Sequence, residues 1–203
     1  MNTLLVPLGG SDVFIVDPAS CDFSNDKHAV TRFLQEHNLV PKAIVLTHGH
    51  FDHVAGLGFL KECYPDIHIY IHKDDASFIG GNSQLRQSEH LYAMGFADFL
   101  PSVSNLPEAT DYLCDGDELF GEWRVLHTPG HTPGSCVLYS ARQNVLISGD
   151  TVFFHSWGRT DLPGGSETQI IQSLNRVYRE IPLQTKVFPG HDMTGFALAE
   201  NVD

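Results

Sequence analysis

Two hydrophobic periods alternate along the chain, and the switches between them mark out its elements. Asp12 to Asp17 (Asp-Val-Phe-Ile-Val-Asp) reads as a strand ending in a turn at Pro18. Asn25 or Asp26 can cap a helix running to about Asn38, with Val30, Phe33 and Leu34 at helical spacing and Pro41 stopping it. Ala43 to Thr47 is a short, continuously apolar strand of the kind buried on both faces. His48 to Asp52 follows as a loop. Asp52 to Tyr64 then reads as one helix with Val54, Leu57 and Leu60 inward, stopped by Pro65, and Ile67 to Ile71 as the next strand. This βαβαβ order predicts a layered α/β architecture.

The pattern changes over residues 73–110. Gly80-Gly81-Asn82-Ser83 is followed by a helical stretch carrying Leu91, Met94, Phe96 and Phe99, and then by a Pro/Ser/Asn-rich link. It reads as a surface insertion or lid within a single domain spanning 1–203. Glu118 to His127, Ser135 to Ser140 and Val145 to Ser148 read as strands, with a turn near Gln143-Asn144. Ser166 can cap an amphipathic helix to Ile181 whose Ile170, Ile171, Leu174 and Val177 share a face; Thr185 to Phe188 is the last strand.

Composition narrows the function. With 12 Lys+Arg against 25 Asp+Glu, the net charge of −13 opposes a phosphate backbone, so nucleic acid is not an expected partner. No apolar run is long enough to span a bilayer, and the first residues lack the basic start of a signal peptide, so no membrane association and a cytoplasmic location are expected. Cys21, Cys63, Cys114 and Cys136 form no Cys-x-x-Cys pair, and reduced thiols are expected. The count that stands out is 12 His.

Four of the seven candidate ligand positions sit in His48-Gly49-His50-Phe51-Asp52-His53. Neutral imidazole and carboxylate are the usual ligands of zinc and of non-haem iron. A loop at a strand end can turn His48 and His50 toward one point, while Asp52 and His53 are fixed by the helix that starts there. His131 in Thr-Pro-Gly-His-Thr-Pro-Gly, Asp150 after Gly149 and His191 after Pro189-Gly190 also sit at strand or loop ends behind a glycine, which lets backbone approach a metal closely. His28, His37, His68, His72, His90 and His127 match no such position and read as surface or packing residues. His155, five residues after Asp150, is a candidate to line the cleft.

With Asp17, these motifs run along nearly the whole chain, which resembles the metallo-β-lactamase superfamily. The resemblance implies a four-layer αβ/βα sandwich with the site at one edge. It implies that His48, His50 and His131 hold one metal, that Asp52, His53 and His191 hold a second, that Asp150 bridges them, and that Asp17 orients the histidine loop rather than ligating. Two zinc ions are the expected cofactors, with iron or a mixed iron–zinc pair as the alternative.

Gly158-Arg159-Thr160-Asp161-Leu162-Pro163-Gly164-Gly165 resembles the loop after the bridging Asp in glyoxalase II-like hydrolases and persulfide dioxygenases. Arg159 can bind an anionic substrate, or can pair with Asp161 and brace the loop. The resemblance therefore implies a hydrolase acting on a small-molecule thioester such as an S-acylglutathione, with a metal-activated hydroxide as nucleophile and Asp52 orienting it or accepting its proton. The alternative is a persulfide dioxygenase with one Fe(II) on His48, His131 and Asp150. The glutathione-binding helical domain of classical glyoxalase II does not follow His191. The strand that such proteins place before the Asn2-Thr3 motif is also missing, which predicts an unpaired edge near Leu4 to Val16 and a homodimer.

Overall fold

The computed structural model describes residues 1–201. Its first sheet holds five strands in chain order: β1 (Leu4–Gly9), β2 (Asp12–Val16), β3 (Val40–Val45), β4 (His68–His72) and β5 (Asp111–Leu113). β1 and β2 are antiparallel, and the remaining pairs are parallel. The second sheet holds six, in the order β11 (Phe196–Ala197), β10 (Lys186–Pro189), β9 (Val145–Gly149), β8 (Cys136–Ser140), β7 (Trp123–His127) and β6 (Glu118–Leu119). Only β9 and β10 run parallel in it.

Period-two alternation decides the layering. In β2, Val13 and Ile15 face one apolar cluster while Phe14 and Val16 face another. Ile44 of β3 joins the first of these clusters and its neighbours Ala43 and Val45 the second. In the second sheet, Val125, Cys136 and Leu138 enter the cluster shared with Phe14, whereas Leu126, Val137 and Tyr139 turn outward. Both sheets are thus apolar on both faces and need cover on both. Between them lies the central core. Outside the first sheet pack α1 (Ala29–Glu36), α2 (Phe51–Val54) and α3 (Leu57–Cys63), through Val30, Leu34, Val54, Leu57 and Leu60; outside the second packs α5 (Glu167–Glu180), through Ile170, Leu174 and Val177. The result is the expected αβ/βα sandwich.

Several elements differ from the sequence reading. Neither Asn25 nor Asp26 caps α1; Asp26 instead accepts the Cys21 N–H (3.0 Å), and the helix begins three residues later. Pro41 lies inside β3, paired with Val13, beyond the end of the helix. The helix predicted over 52–64 is two pieces, because the Gly56 N–H leaves the ladder to reach the Pro18 carbonyl (2.8 Å). A Cβ on Gly56 would meet that oxygen at 2.9 Å, so only glycine permits this docking. The strand predicted over 118–127 is a hairpin, β6 and β7, turned at Phe120-Gly121, both at positive φ. Ser166 does cap α5, accepting the Gln169 N–H (3.3 Å).

Residues 73–110 pack closely rather than standing off the surface. They form 3₁₀ turns and α4 (Ser83–Met94), and Ile79, Leu91, Phe99, Val103 and Leu106 join the core of the first sheet. β1 pairs with β2 on one side and is an outer strand of its sheet. A cavity of about 640 Å³ opens beside it, lined by Leu5, Val13, Val30, Phe33 and Val145, away from the histidine motifs. The four cysteines are free thiols, Cys21 and Cys136 buried, Cys63 and Cys114 exposed. Among the described residues no helix is long and apolar enough to cross a membrane.

Candidate metal centre

The strand ends that carry the motifs come together at one edge of the sandwich. His48 and His50 follow β3, Asp52 and His53 lie in α2, His131 is in the loop between β7 and β8, Asp150 follows β9 and His191 follows β10. His48, His50, His53, His131 and Asp150 are buried, and Asp52 and His191 are about 30% exposed, at the mouth.

The donors fall into two neighbouring sets. His48, His50 and His131 each offer one nitrogen within 4.8 Å of the others, and so do Asp52, His53 and His191 with their nitrogens and carboxylate oxygen. Asp150 lies between the sets. Its Oδ1 is 3.3 Å from His53 Nε2, and its Oδ2 is 3.4 Å from His131 Nε2 and 3.5 Å from His191 Nε2. His191 Nε2 is also 3.1 Å from Asp52 Oδ2.

Hydrogen bonds behind the ligands select which nitrogen faces the centre. His53 Nδ1 donates to Asp17 Oδ2 (3.0 Å), which turns Nε2 toward Asp150. The Thr47 hydroxyl donates to the same oxygen (2.6 Å), so its oxygen is free to accept from His48 Nδ1 (3.1 Å), which leaves His48 Nε2 bare. His131 Nδ1 donates to the Arg159 carbonyl (2.7 Å), leaving its Nε2 bare, 2.8 Å from His50 Nδ1. One buried carboxylate, Asp17, thus orients a ligand of each set, as partners behind metal-bound imidazoles do. It sits at φ 50°, a left-handed conformation that a short polar side chain tolerates, and its Oδ1 accepts the Thr47 N–H (2.7 Å).

The charges fit divalent cations. Burial, followed by the neighbouring imidazoles, pushes the pKa values of His48 and His50 well below the ordinary value, and burial lowers that of His131; these rings are neutral donors. Burial is the largest influence on Asp52 and Asp150 and opposes their ionisation, but the surrounding imidazoles, His53 first, together outweigh it, and both stay carboxylates. His53 is the converse: burial would strip its proton, yet Asp150, Asp52 and Asp17 together raise its pKa. The negative charge that holds a proton there is the charge a cation would neutralise. His48 Nε2 and His50 Nε2 are buried with no hydrogen-bond partner, which is costly unless a metal takes them up. The residues present therefore fit two divalent ions, one on each set with Asp150 between.

Two other expected residues lie differently. Arg159 grips Asp161 through two bonds of 2.7 Å, which also keep Asp161 ionised down to about pH 2; its link to the centre is its carbonyl on His131. His155 packs edge-on against Phe154 (4.1 Å between centroids), and its backbone N–H donates to Asn201 Oδ1 (2.9 Å); these contacts do not include the ligands. The glycines before the ligands also work differently from the expectation. A Cβ on Gly130 would strike the start of α5, and one on Gly149 the Thr47 side chain. Gly190 alone of the three abuts the ligands, against Asp150 and His53.

Three contributors were missed. Asp75, fully buried, accepts from Gly49 N (2.9 Å), Thr132 Oγ1 (2.7 Å) and Gly134 N (2.7 Å), clamping the two loops that carry His48, His50 and His131. Its only sequence signal was a carboxylate just past a strand end. Gln87 on α4 donates to the Gly49 carbonyl (2.8 Å), and His90 lies 5.0 Å from His50 between centroids while bonding the Pro163 carbonyl (2.9 Å). α4 thereby ties the histidine loop to the 158–165 loop.

Comparison with known proteins agrees with this geometry. A family model described as metallo-beta-lactamase superfamily matches residues 2–191. A probable metallo-hydrolase, YqgX of Bacillus subtilis, is 30% identical over 195 residues, covering 91% of this chain and 86% of that one. A hydroxyacylglutathione hydrolase of Thermosynechococcus vestitus is 31% identical over 196 residues, 93% of this chain and 64% of that one. Among solved structures, TTHA1623 in a di-iron-bound form superposes with TM-score 0.79 at 32% identity, covering 98% of this chain and 90% of that one. ETHE1 from Myxococcus xanthus gives 0.72 at 25%, covering 98% and 75%. The chain belongs to the metallo-beta-lactamase superfamily.

Proposed function

We propose that this protein is a hydrolase of small thioesters of the S-acylglutathione kind, with two divalent metals in the His/Asp centre. The observation that carries the reading is the completeness of the second donor set: Asp52, His53 and His191 stand together beside His48, His50 and His131, with Asp150 within 3.5 Å of both. The name of the cyanobacterial relative supports the substrate class. Bound metals would supply Lewis acidity for a carbonyl and a nucleophile at neutral pH.

The chain's own residues define the rest. Asp52 stays ionised at the open side of the centre, where its oxygen can accept a proton from an attacking water. A thiolate leaves without protonation, so no separate acid is needed. Arg159 is paired with Asp161 by two bonds and its carbonyl accepts from His131, so it braces the loop behind that ligand; recruiting its charge to an anionic carrier would require releasing Asp161.

A second reading keeps one Fe(II) on His48, His131 and Asp150 for persulfide oxidation. The proximity of His131 Nε2 to Asp150 Oδ2 (3.4 Å) is compatible with it. The deciding experiment supplies S-lactoylglutathione without O₂ and, separately, glutathione persulfide with O₂. Thiol release in the first supports the hydrolase. Oxygen uptake in the second, with no thiol release in the first, overturns it.

A further inference from the structure

A second group of metal-ligating side chains lies outside this centre. His72 ends β4 and His127 ends β7, so one ring comes from each sheet. The rings stack face to face, 4.0 Å between centroids and 10° between planes. His127 Nε2 donates to the Pro133 carbonyl (2.8 Å), so Nδ1 is the ring nitrogen left to ligate. His72 Nδ1 accepts the Asp74 N–H (3.3 Å), so its lone pair is also on Nδ1. The Asp74 carboxylate lies 3.7 Å from that nitrogen on a side chain that is 45% exposed. One donor atom from each of His72, Asp74 and His127 lies within 4.8 Å of the others.

We propose that His72, Asp74 and His127 form a further cation site, separate from the dinuclear centre, for a divalent transition ion with zinc as the best match. Two imidazoles and one carboxylate suit zinc, whereas calcium and magnesium take oxygen donors. Burial and the neighbouring His127 keep His72 neutral, and its Nδ1 ligates by giving up the 3.3 Å bond from the Asp74 N–H. Asp74 and Asp115 add negative charge; Lys73 opposes them, and Arg176 is held on Asp115 by two bonds. Tetrahedral donors at zinc distances stand about 3.4 Å apart, so the three side chains must draw in by roughly 1 Å. The exposed Asp74 arm and rotation of the stacked rings supply that movement. Solvent takes the fourth position.

Such an ion would pin β4 to β7 and so one sheet to the other. His72 precedes the loop clamp Asp75 by three residues, and His127 precedes His131 by four. The site is therefore placed to stiffen the scaffold under the catalytic loops and takes no part in the reaction itself.

The test starts from protein whose dinuclear centre is already loaded with zinc, and titrates further Zn²⁺ by calorimetry, with thermal unfolding read in parallel. Wild type is expected to take up one more equivalent and to gain in Tm. His127→Gln should take up none and show no such gain, and Asp74→Asn should bind it roughly tenfold more weakly or worse. Equal uptake and equal thermal response in wild type and His127→Gln would overturn the proposal. Should His127→Gln fail to fold, the exposed Asp74→Asn decides alone, and unchanged affinity there overturns it as well.

Discussion

His53 donates its Nδ1 hydrogen to Asp17 across 3.0 Å, and both side chains are buried. The bond joins the end of β2 to the start of the helix after β3, and it aims His53 Nε2 at Asp150. Through Thr47 the same carboxylate reaches His48. Asp17→Asn should keep the shape but weaken this orientation. The affinity for the second metal should fall roughly 10- to 100-fold, and that for the first by less, because Thr47 stands between Asp17 and His48. Metal titration of the purified variant checks this; unchanged affinity for both ions would remove Asp17 from the site.

Asp52 contributes to one donor set only. In Asp52→Ala the second metal should be lost or weakly held, and thioester turnover should fall by roughly two decades or more with the pH optimum moved upward. Metal stoichiometry beside the pH–rate profile provides the measurement. Wild-type metal content with wild-type activity would eliminate the two-metal assignment.

Gly190 sits where a single methyl group would contact both Asp150 and His53. Gly190→Ala should fold, because the clash is with the site and not with the core, yet it should displace the bridging carboxylate and abolish most activity. Circular dichroism and metal analysis separate the two effects. A variant with full activity would show that the site relaxes more than its burial suggests.

Stability should depend on His72 in acid. Burial, then His127 and Lys73, lower its folded-state pKa, while Asp74 and Asp115 act against the shift. The unfolded chain titrates near 6.5 and so binds more protons than the native chain just below that pH. This contribution to stability is present above about 6.5 and is lost as pH falls through the lower native value. His72→Phe, which keeps a stacked ring, should therefore lose less stability than wild type between pH 7.5 and pH 5.5. Denaturant unfolding of the metal-free proteins at the two pH values tests it, and parallel losses would contradict it.

Much of the site was legible because its ligands are chemically unusual and locally grouped. His48, His50, Asp52 and His53 occupy six consecutive residues, and His131, Asp150 and His191 each follow a short apolar strand or a proline–glycine loop, so residue type and local context were enough. The layered fold was legible for a related reason: strands such as Phe14-Ile15-Val16 and Val137-Leu138-Tyr139 are apolar at every position, which demands cover on both faces. What the sequence could not decide was long-range pairing. Asp75 clamps Gly49 and Gly134 across 26 and 59 residues, and no local pattern distinguishes it from the neighbouring Asp74. The break at Gly56 depends on the Pro18 carbonyl, the hairpin at Phe120-Gly121 on pairing between Glu118 and Arg124, and the stacking of His72 on His127 on two sheets meeting face to face. Local composition fixes which side chains can ligate, donate or pack. Which of them meet is set by the sum of many weak contacts over the whole chain, and only the folded structure performs that sum.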